Sequence, residues 1–198
     1  MTDRPIIFSA PMVRALLDGR KTQTRRVLGA KSGVTAAHKV EKSGAHWIAR
    51  EYDRAWPVRA PYATGDRLWV REAWALSGDF AALKSDEWAG FHNPRAMLGE
   101  HLTYLADADA YDKAVQAWRS PIHMPRWASR ITLLVTDVRV QRLQDISEDD
   151  AFEEGVTRSA TPLATSRAAF RDLWNSIHGP GAWDANPWVA AISFERMT

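Results

Sequence analysis

Residues 19–26 read Gly-Arg-Lys-Thr-Gln-Thr-Arg-Arg and form the most distinctive segment of this 198-residue sequence. They follow a short apolar stretch in which Ser9 can cap a helix and Pro11 can occupy its first turn. Gly19 is suited to end that helix. Four of the seven residues after Gly19 are basic, and the C-terminal end of a helix favours cations. The pattern predicts a helix that leads directly into a cationic segment, although the same composition is typical of a solvent-exposed, arginine-rich loop.

The sequence on both sides of this segment predicts a mixture of strands and helices. Apolar residues on both faces of residues 130–140 indicate a strand that is covered on each side. Ser147 begins a capping box, and Gly155 ends the short helix that follows it. The apolar residues that recur at helical spacing in a third predicted helix are Phe170, Leu173, Trp174 and Ile177. Further strands are predicted at residues 6–8, 38–41, 45–50, 67–72 and 188–194, which gives an α+β fold class.

Composition excludes several classes of protein. Hydrophobic residues make up 45% of the chain, which is enough for one domain with a packed core. No stretch approaches the roughly 18 apolar residues of a membrane span, and residues 1–8 lack the apolar core of a signal peptide. The chain has no cysteine, and its histidines show no metal-ligand spacing with a carboxylate. We therefore expect a cytoplasmic protein with no membrane partner, no metal and, in the absence of a Walker or Rossmann glycine pattern, no cofactor.

The segment at residues 19–26 resembles the signature of the ASCH superfamily, and two further segments agree with that family in order and spacing. They are the Gly-Asp turn and strand of residues 65–72 and the acidic helix of residues 145–155. The chain is most similar to the longer, phage- and prophage-associated branch, in which residues 122–130 precede the long barrel strand. The resemblance implies an α+β, PUA-like (ASCH) β-barrel with flanking helices. It also implies a single domain over residues 1–198, with insertions at about 29–60, 75–120 and 157–187.

The resemblance also implies a function. Some small members of the family are amidohydrolases that cleave the acetyl group from N4-acetylcytidine with a lysine, a threonine and a glutamate. Residue by residue, it places these catalytic roles at Lys21, Thr24 and Glu154. The leading expectation is therefore an amidohydrolase that acts on N4-acylated cytosine nucleosides.

The chemistry of Lys21 and Thr24 suits amide hydrolysis independently of the family. Thr24 offers a hydroxyl nucleophile, and Lys21 can face it if the segment makes a turn. A lysine is a useful base only when neutral, so the pKa of Lys21 would have to fall by roughly 3 from its usual value of about 10.4. Burial and cationic neighbours both act in that direction, and the candidate neighbours are Arg20, Arg25 and Arg26.

Glu154 is predicted at the C-terminal end of its helix, beside Glu153. The helix dipole disfavours a carboxylate at that end, which suggests that at least one of the two acids serves chemistry or pairs with a basic group. A surface pair is the alternative. In the amidohydrolase interpretation, Glu154 binds the exocyclic amine of cytosine or relays a proton to it.

Nine residues are candidates for substrate binding. Glu72 can pair with Arg25 or Arg71 in a pocket, or it can form a structural salt bridge. Either Trp69 or Trp74 can stack on a base, and a place in the core is the alternative. His123 and Arg126 can contact a phosphate or cap the following strand. The full set is Arg20, Arg25, Arg26, Trp69, Arg71, Glu72, Trp74, His123 and Arg126.

Two other functions compete with the amidohydrolase. The first is an RNA-binding module of phage origin, with or without ribonuclease activity, since the PUA-like fold is associated with RNA and one family member has been described as a ribonuclease. The second is a phage-derived accessory protein whose insertions bind another protein. An enzyme for a small nucleoside needs a closed pocket around Thr24. An RNA-binding module instead needs an open basic groove past Arg20, Arg25, Arg26, Arg126 and Arg130. The expected partner is accordingly a nucleoside or RNA.

Overall fold

The computed structural model describes residues 3–34, 39–44, 46–84, 87–108, 117–156 and 165–197. These residues divide into two compact units. The first unit comprises residues 1–18, 67–133 and 196–198, and the second comprises residues 19–66 and 134–195. Each unit is assembled from separate stretches of the chain, so neither corresponds to one continuous half of the sequence.

The described residues form ten strands and four α-helices. The strands are β1 (Asp3–Ile7), β2 (Gln23–Val27), β3 (Lys39–Ser43), β4 (His46–Glu51), β5 (Arg54–Val58), β6 (Arg67–Arg71), β7 (Trp74–Leu76), β8 (Leu102–Tyr104), β9 (Thr132–Arg142) and β10 (Trp188–Arg196). The helices are α1 (Ala10–Leu17), α2 (Pro94–Leu98), α3 (Glu148–Glu153) and α4 (Ser166–His178). Among the described residues, no helix has both the length and the apolar character needed to cross a membrane.

The first unit is built around tryptophan side chains. β1 runs parallel to β6, and β7 pairs with β8 in antiparallel register. Trp74 is fully buried, and its ring centroid lies 5.4 Å from that of Trp88 and 6.2 Å from that of Trp127. Met124 is buried in the same cluster. Large aromatic surfaces therefore supply much of the apolar burial in this unit.

The second unit combines two strand pairings with two packed helices. β2 is antiparallel to β10, with Thr24 opposite Ile192, and β3, β4 and β5 form a three-stranded antiparallel sheet. One apolar cluster joins α3, α4 and β10, and its largest members include Phe170 and Trp174. This packing holds α3 against the strand region that carries the cationic segment.

Several sequence predictions of local structure are confirmed. The helix before Gly19, the long strand at 130–140, the helix capped by Ser147 and the last strand all exist, with boundaries shifted by a few residues. The alternative prediction of an exposed, arginine-rich loop is wrong for residues 23–27, because these residues form β2. Ile177 is 60% exposed rather than part of the apolar face of α4.

The described structure is a mixture of helices and several sheets, and none of the sheets formed by the described residues closes into a barrel. The closed barrel that the family resemblance implied is therefore not found. The predicted insertions contain regular structure: β3 to β5 lie within residues 29–60, α2 and β8 within 75–120, and α4 within 157–187. Parts of these insertions, including 109–116 and 157–164, lie outside the described residues.

Candidate active site

The backbone of the second unit brings Lys21 and Glu154 together. Lys21 precedes β2 and forms an isolated antiparallel bridge with Glu154, the C-cap residue of α3. The N–H of Thr22 donates to the carbonyl of Glu153 at 2.9 Å. These contacts fix the start of β2 against the end of α3, although 133 residues separate Lys21 from Glu154. The position of both side chains is therefore set by main-chain pairing.

Lys21 is buried and uses its whole donor capacity. Its Nζ donates to Glu154 Oε2 at 2.8 Å, to the Glu154 carbonyl at 2.7 Å and to the Gln23 carbonyl at 2.8 Å. Three acceptors match the three N–H groups of an ammonium ion, so this geometry corresponds to the charged lysine. Burial lowers the pKa of Lys21 below its ordinary value. Glu154 opposes this decrease, whereas Arg26 and Arg25 add to it.

Glu154 lies between two cations. Its Oε2 accepts from Lys21, and its Oε1 accepts from Arg25 Nη1 at 3.1 Å. The residue is only 4% exposed. A carboxylate at the C-terminal end of a helix is disfavoured by the dipole, and here two buried positive charges offset that cost. The position of Glu154 is thus explained by its pairing with Arg25 of β2 and with Lys21.

The ion pairs continue along the same face of α3. Asp150 accepts from Arg25 Nη2 at 2.9 Å and from Arg139 Nη2 at 2.9 Å. The Gln23 amide also donates to Asp150, at 3.2 Å. Asp150 and Glu154 are four residues apart, so a single helix face presents both carboxylates. Sequence analysis missed Asp150, Arg139 and Gln23, although the four-residue spacing of the two acids was a usable signal.

Thr24 is buried within β2 and lies close to the backbone contact of Lys21. The lysine Nζ is bonded to the carbonyl of the peptide that joins Gln23 to Thr24, and standard bond lengths place the Thr24 Cα within about 6 Å of it. Strand alternation directs the Thr24 side chain to the face opposite that of Gln23 and Arg25. No described residue forms a hydrogen bond with its hydroxyl. The hydroxyl is therefore not committed to another group of the described structure.

Arg20 and Arg26 flank these residues. Arg20 Nη1 donates to the Gly155 carbonyl at 3.1 Å, immediately after Glu154. Arg26 is half-buried, and burial lowers the pKa of its guanidinium, while Tyr62 and Glu154 act in the opposite direction. Six of the predicted site residues therefore belong to the second unit: Arg20, Lys21, Thr24, Arg25, Arg26 and Glu154.

The remaining predicted binding residues belong to the first unit. The guanidinium groups of Arg71 and Arg126 lie 5.2 and 5.8 Å from the ring centroid of Trp69, within cation–π range. Arg71 also donates to the carbonyls of Ile122 and Met124. Trp69 therefore packs between arginines of its own unit. His123 is exposed at the end of a 3₁₀ turn.

Glu72 pairs with a residue that was not expected. It is 1% exposed and accepts two hydrogen bonds from Arg130, at 2.9 and 3.1 Å. Arg130 also bonds Asp107, and its guanidinium stacks 3.9 Å from the Tyr104 ring centroid. Glu72 thus pairs with Arg130 of its own unit, and not with the partners predicted from the sequence, Arg25 or Arg71. This geometry is that of a structural ion pair in the connection between β6 and β7. Trp74, which begins β7, lies in the core.

Comparisons with protein-family models, with curated proteins and with solved structures found no match to this chain. Among the described residues, no group of three or more histidines, aspartates and glutamates is arranged to hold a metal ion. The resemblance to the ASCH superfamily therefore remains a prediction that rests on the three sequence segments alone, and no family is assigned.

Proposed function

We propose that this protein is an amidohydrolase that removes the acyl group from N4-acylated cytosine nucleosides. The observation that carries the proposal is the buried Lys21–Glu154 pair, in which the lysine ammonium is bonded to the peptide that leads into Thr24. The proposal includes the ASCH resemblance, a PUA-like arrangement and a cytoplasmic location. No other cluster among the described residues combines a hydroxyl without a partner, a lysine whose pKa is lowered and a buried carboxylate.

In the proposed reaction, Thr24 Oγ1 attacks the carbonyl carbon of the N4-acyl group while its proton passes to neutral Lys21. The bond from the carbonyl carbon to N4 then breaks, and Lys21 returns the proton to N4, which leaves as the amine. Water hydrolyses the resulting threonine ester, again with Lys21 as the proton carrier, and releases the carboxylic acid. Strand alternation puts the Thr24 side chain on the face of β2 opposite Gln23 and Arg25, which contact the same cluster of acidic residues as Lys21. These steps therefore require a local rearrangement that brings Thr24 Oγ1 and Lys21 Nζ within about 3 Å when substrate is bound.

Burial favours the neutral form of Lys21 that this reaction needs. A charged amine in a poorly solvated site loses hydration energy, which lowers its pKa. Glu154 Oε2, at 2.8 Å, is positioned to accept the proton that Lys21 gives up. Arg25, which donates to Oε1, stabilises the carboxylate form of Glu154 before and after that transfer. Glu154 in this scheme exchanges a proton with Lys21, and Lys21 delivers the proton to the leaving amine.

The RNA-binding alternative has weaker support. Arg25 is occupied by Glu154 and Asp150, and Arg130 by Glu72 and Asp107. These two arginines belonged to the basic groove expected of an RNA-binding module, and their charges are offset within the protein.

The test is hydrolysis of N4-acetylcytidine, followed as release of acetate and cytidine. We expect Thr24→Val to lower kcat by at least about 100-fold, because it keeps the shape and removes the nucleophile. Lys21→Arg should be equally inactive, because an arginine is not deprotonated in proteins. Thr24→Ser should retain activity, since it keeps the hydroxyl oxygen.

The matched control is Thr136→Val, which makes the same chemical change at an exposed position of β9. It should keep full activity, and thermal melting should show that all variants fold. Full activity in a folded Thr24→Val protein would contradict the proposed nucleophile. No hydrolysis by the wild-type protein would contradict the proposed function.

A further inference from the structure

The second unit contains a cavity of about 710 Å³ beside the three-stranded sheet β3–β5. This volume lies within the range of small-molecule sites, about 300–1,000 Å³. Its lining includes Lys42, Trp47, Arg59, Tyr62, Asp137 and Val138. The cavity therefore joins aromatic rings and cationic groups, and most of this lining comes from the stretch 42–64, to which sequence analysis gave no function.

The sheet presents part of this lining as one row. Lys42 is directly opposite Trp47, and Trp47 is directly opposite Val58, so the three side chains share one face. Lys42 Nζ lies 6.0 Å from the centroid of the Trp47 ring. Trp47 Nε1 donates to the Val138 carbonyl at 3.2 Å, which fixes the edge of the indole against β9. A fixed aromatic ring beside a cation is an arrangement suited to a base or sugar that carries a phosphate.

The cationic groups of the cavity are not neutralised by the described residues. Lys42 and Arg59 are both exposed and form no ion pair with a described carboxylate. Asp137, the acidic group of the lining, lies 3.8 Å from Arg139, which offsets its charge. Arg25, which contacts Glu154, is in contrast held by two carboxylates. Uncompensated positive charge in a concave site attracts an anionic ligand.

Arg26 connects this cavity with the candidate active site. It is two residues from Thr24 on β2, and strand alternation therefore puts both side chains on the same face. Arg26 lies within electrostatic range of Tyr62, which lines the cavity, and of Glu154. Arg26, on the Thr24 face of β2, is thus within electrostatic range both of the cavity lining and of the candidate active site.

We propose that this cavity binds the phosphate and sugar of a cytidine nucleotide, with Lys42 and Arg59 as the phosphate contacts and Trp47 as the stacking surface. The substrate of the enzyme is then an N4-acylated cytidine nucleotide rather than the free nucleoside. This identification of the substrate rests on the proposed function, whereas the ligand class rests on the cavity alone.

The direct test is isothermal titration of the full chain with cytidine, cytidine 5′-monophosphate and a cytidine-centred RNA trinucleotide. At least one phosphorylated probe should bind about tenfold or more tightly than cytidine, because two charged hydrogen bonds are added. The tighter of the two phosphorylated probes identifies whether the phosphate comes from a mononucleotide or from an RNA strand. Equal binding of all three probes, or no binding, would overturn the proposal.

Variants separate the cavity from the chemistry. Lys42→Gln/Arg59→Gln should remove the preference for phosphate in binding and raise KM for the 5′-phosphate of N4-acetylcytidine about tenfold or more, with kcat unchanged. Lys39→Gln/Arg54→Gln removes the same charge from exposed positions of the same sheet and should change neither. If the phosphorylated probe binds but no substrate is hydrolysed, the proposed function fails and the cavity assignment stands. If hydrolysis occurs without any preference for phosphate, the cavity assignment fails.

Discussion

The charge on Lys21 is set by two opposing effects at one side chain. Burial disfavours the ammonium form, and the neighbouring carboxylate of Glu154 favours it. Burial is the larger effect, so the pKa of Lys21 lies below its ordinary value. Because the folded pKa is below the unfolded one, the cost of burying the charge is fully present below the folded pKa. That cost is lost as the pH rises toward the unfolded pKa, so this residue makes the protein more stable with increasing pH in that window.

Titration of the lysine Cε signals by NMR tests this balance directly. We expect Lys21 to titrate at lower pH than an ordinary lysine side chain, because it is buried. Glu154→Gln removes the group that raises the Lys21 pKa, and should therefore move the titration to still lower pH. In active enzyme, the rising limb of the kcat/KM profile should follow the same pKa, because the base is the neutral amine.

The outcome that contradicts this account is a Lys21 signal that titrates at the ordinary pH of a lysine side chain. Lys42→Gln is the control for the assignment, because it removes an exposed lysine signal and should leave the Lys21 titration unchanged. A Glu154→Gln shift toward higher pH would have the wrong sign for an electrostatic effect of the carboxylate.

Helix α3 carries both carboxylates of the ion cluster on less than two turns. Its six residues are too few for a stable isolated helix, so its caps and its packing hold it in place. The Ser147 hydroxyl accepts from the N–H of Asp150 at 3.0 Å at one end. At the other end, Glu154 pairs with Lys21. The geometry of the site therefore depends on a short element that is fixed at both ends.

Ser147→Ala should lower the free energy of unfolding by about 1 kcal/mol, because it removes the N-cap. It should also lower kcat/KM, since fraying of the first turn displaces Asp150 from Arg25. The measurements are urea unfolding and hydrolysis of N4-acetylcytidine. Thr165→Ala is the matched control, because Thr165 caps α4 in the same way. It should lower stability similarly and leave kcat/KM unchanged, and an equal loss of activity in both variants would contradict a specific role for α3.

At the scale of the whole molecule, the net charge of +2 is a poor guide to the binding partners. Arg25, Arg130 and Arg139 form ion pairs with carboxylates of their own unit. Their charge is therefore unavailable to a phosphate backbone unless these pairs break, which is costly for a buried pair. Within the described part of the chain, Lys42 and Arg59 of the cavity form no ion pair.

Binding of a fluorescein-labelled single-stranded RNA 12-mer at several salt concentrations tests this distribution of charge. Two phosphate contacts predict a log–log salt slope no steeper than about −1.5, whereas four contacts would give about −3. Anisotropy should show weak binding that Arg25→Ala does not alter. A slope near −3 that becomes shallower in Arg25→Ala/Arg26→Ala would favour an RNA-binding module over the enzyme.

Local signals in the sequence predicted the elements that depend on neighbouring residues. The end of α1 at Gly19, the cap of α3 at Ser147 and the apolar run of β9 are each encoded within a few residues. Gly19, for example, has a positive φ, which glycine adopts readily because it has no Cβ. The proximity of Lys21 and Glu154 was expected only from the family resemblance, since their spacing alone contains no such information.

Only the tertiary structure decided the partners of the charged residues. Arg25 and Asp150 are 125 residues apart in the chain, and Arg130 and Glu72 are 58 apart. An arginine can pair with any carboxylate that the fold brings near, so composition and spacing leave the choice open. The same holds for the cavity beside β3–β5, because Asp137 and Val138 of β9 line it together with residues 42–64. The sequence determined the helices, strands and ionisable groups of this protein, and long-range packing determined which of those groups meet, because ion pairing depends on spatial distance rather than on position along the chain.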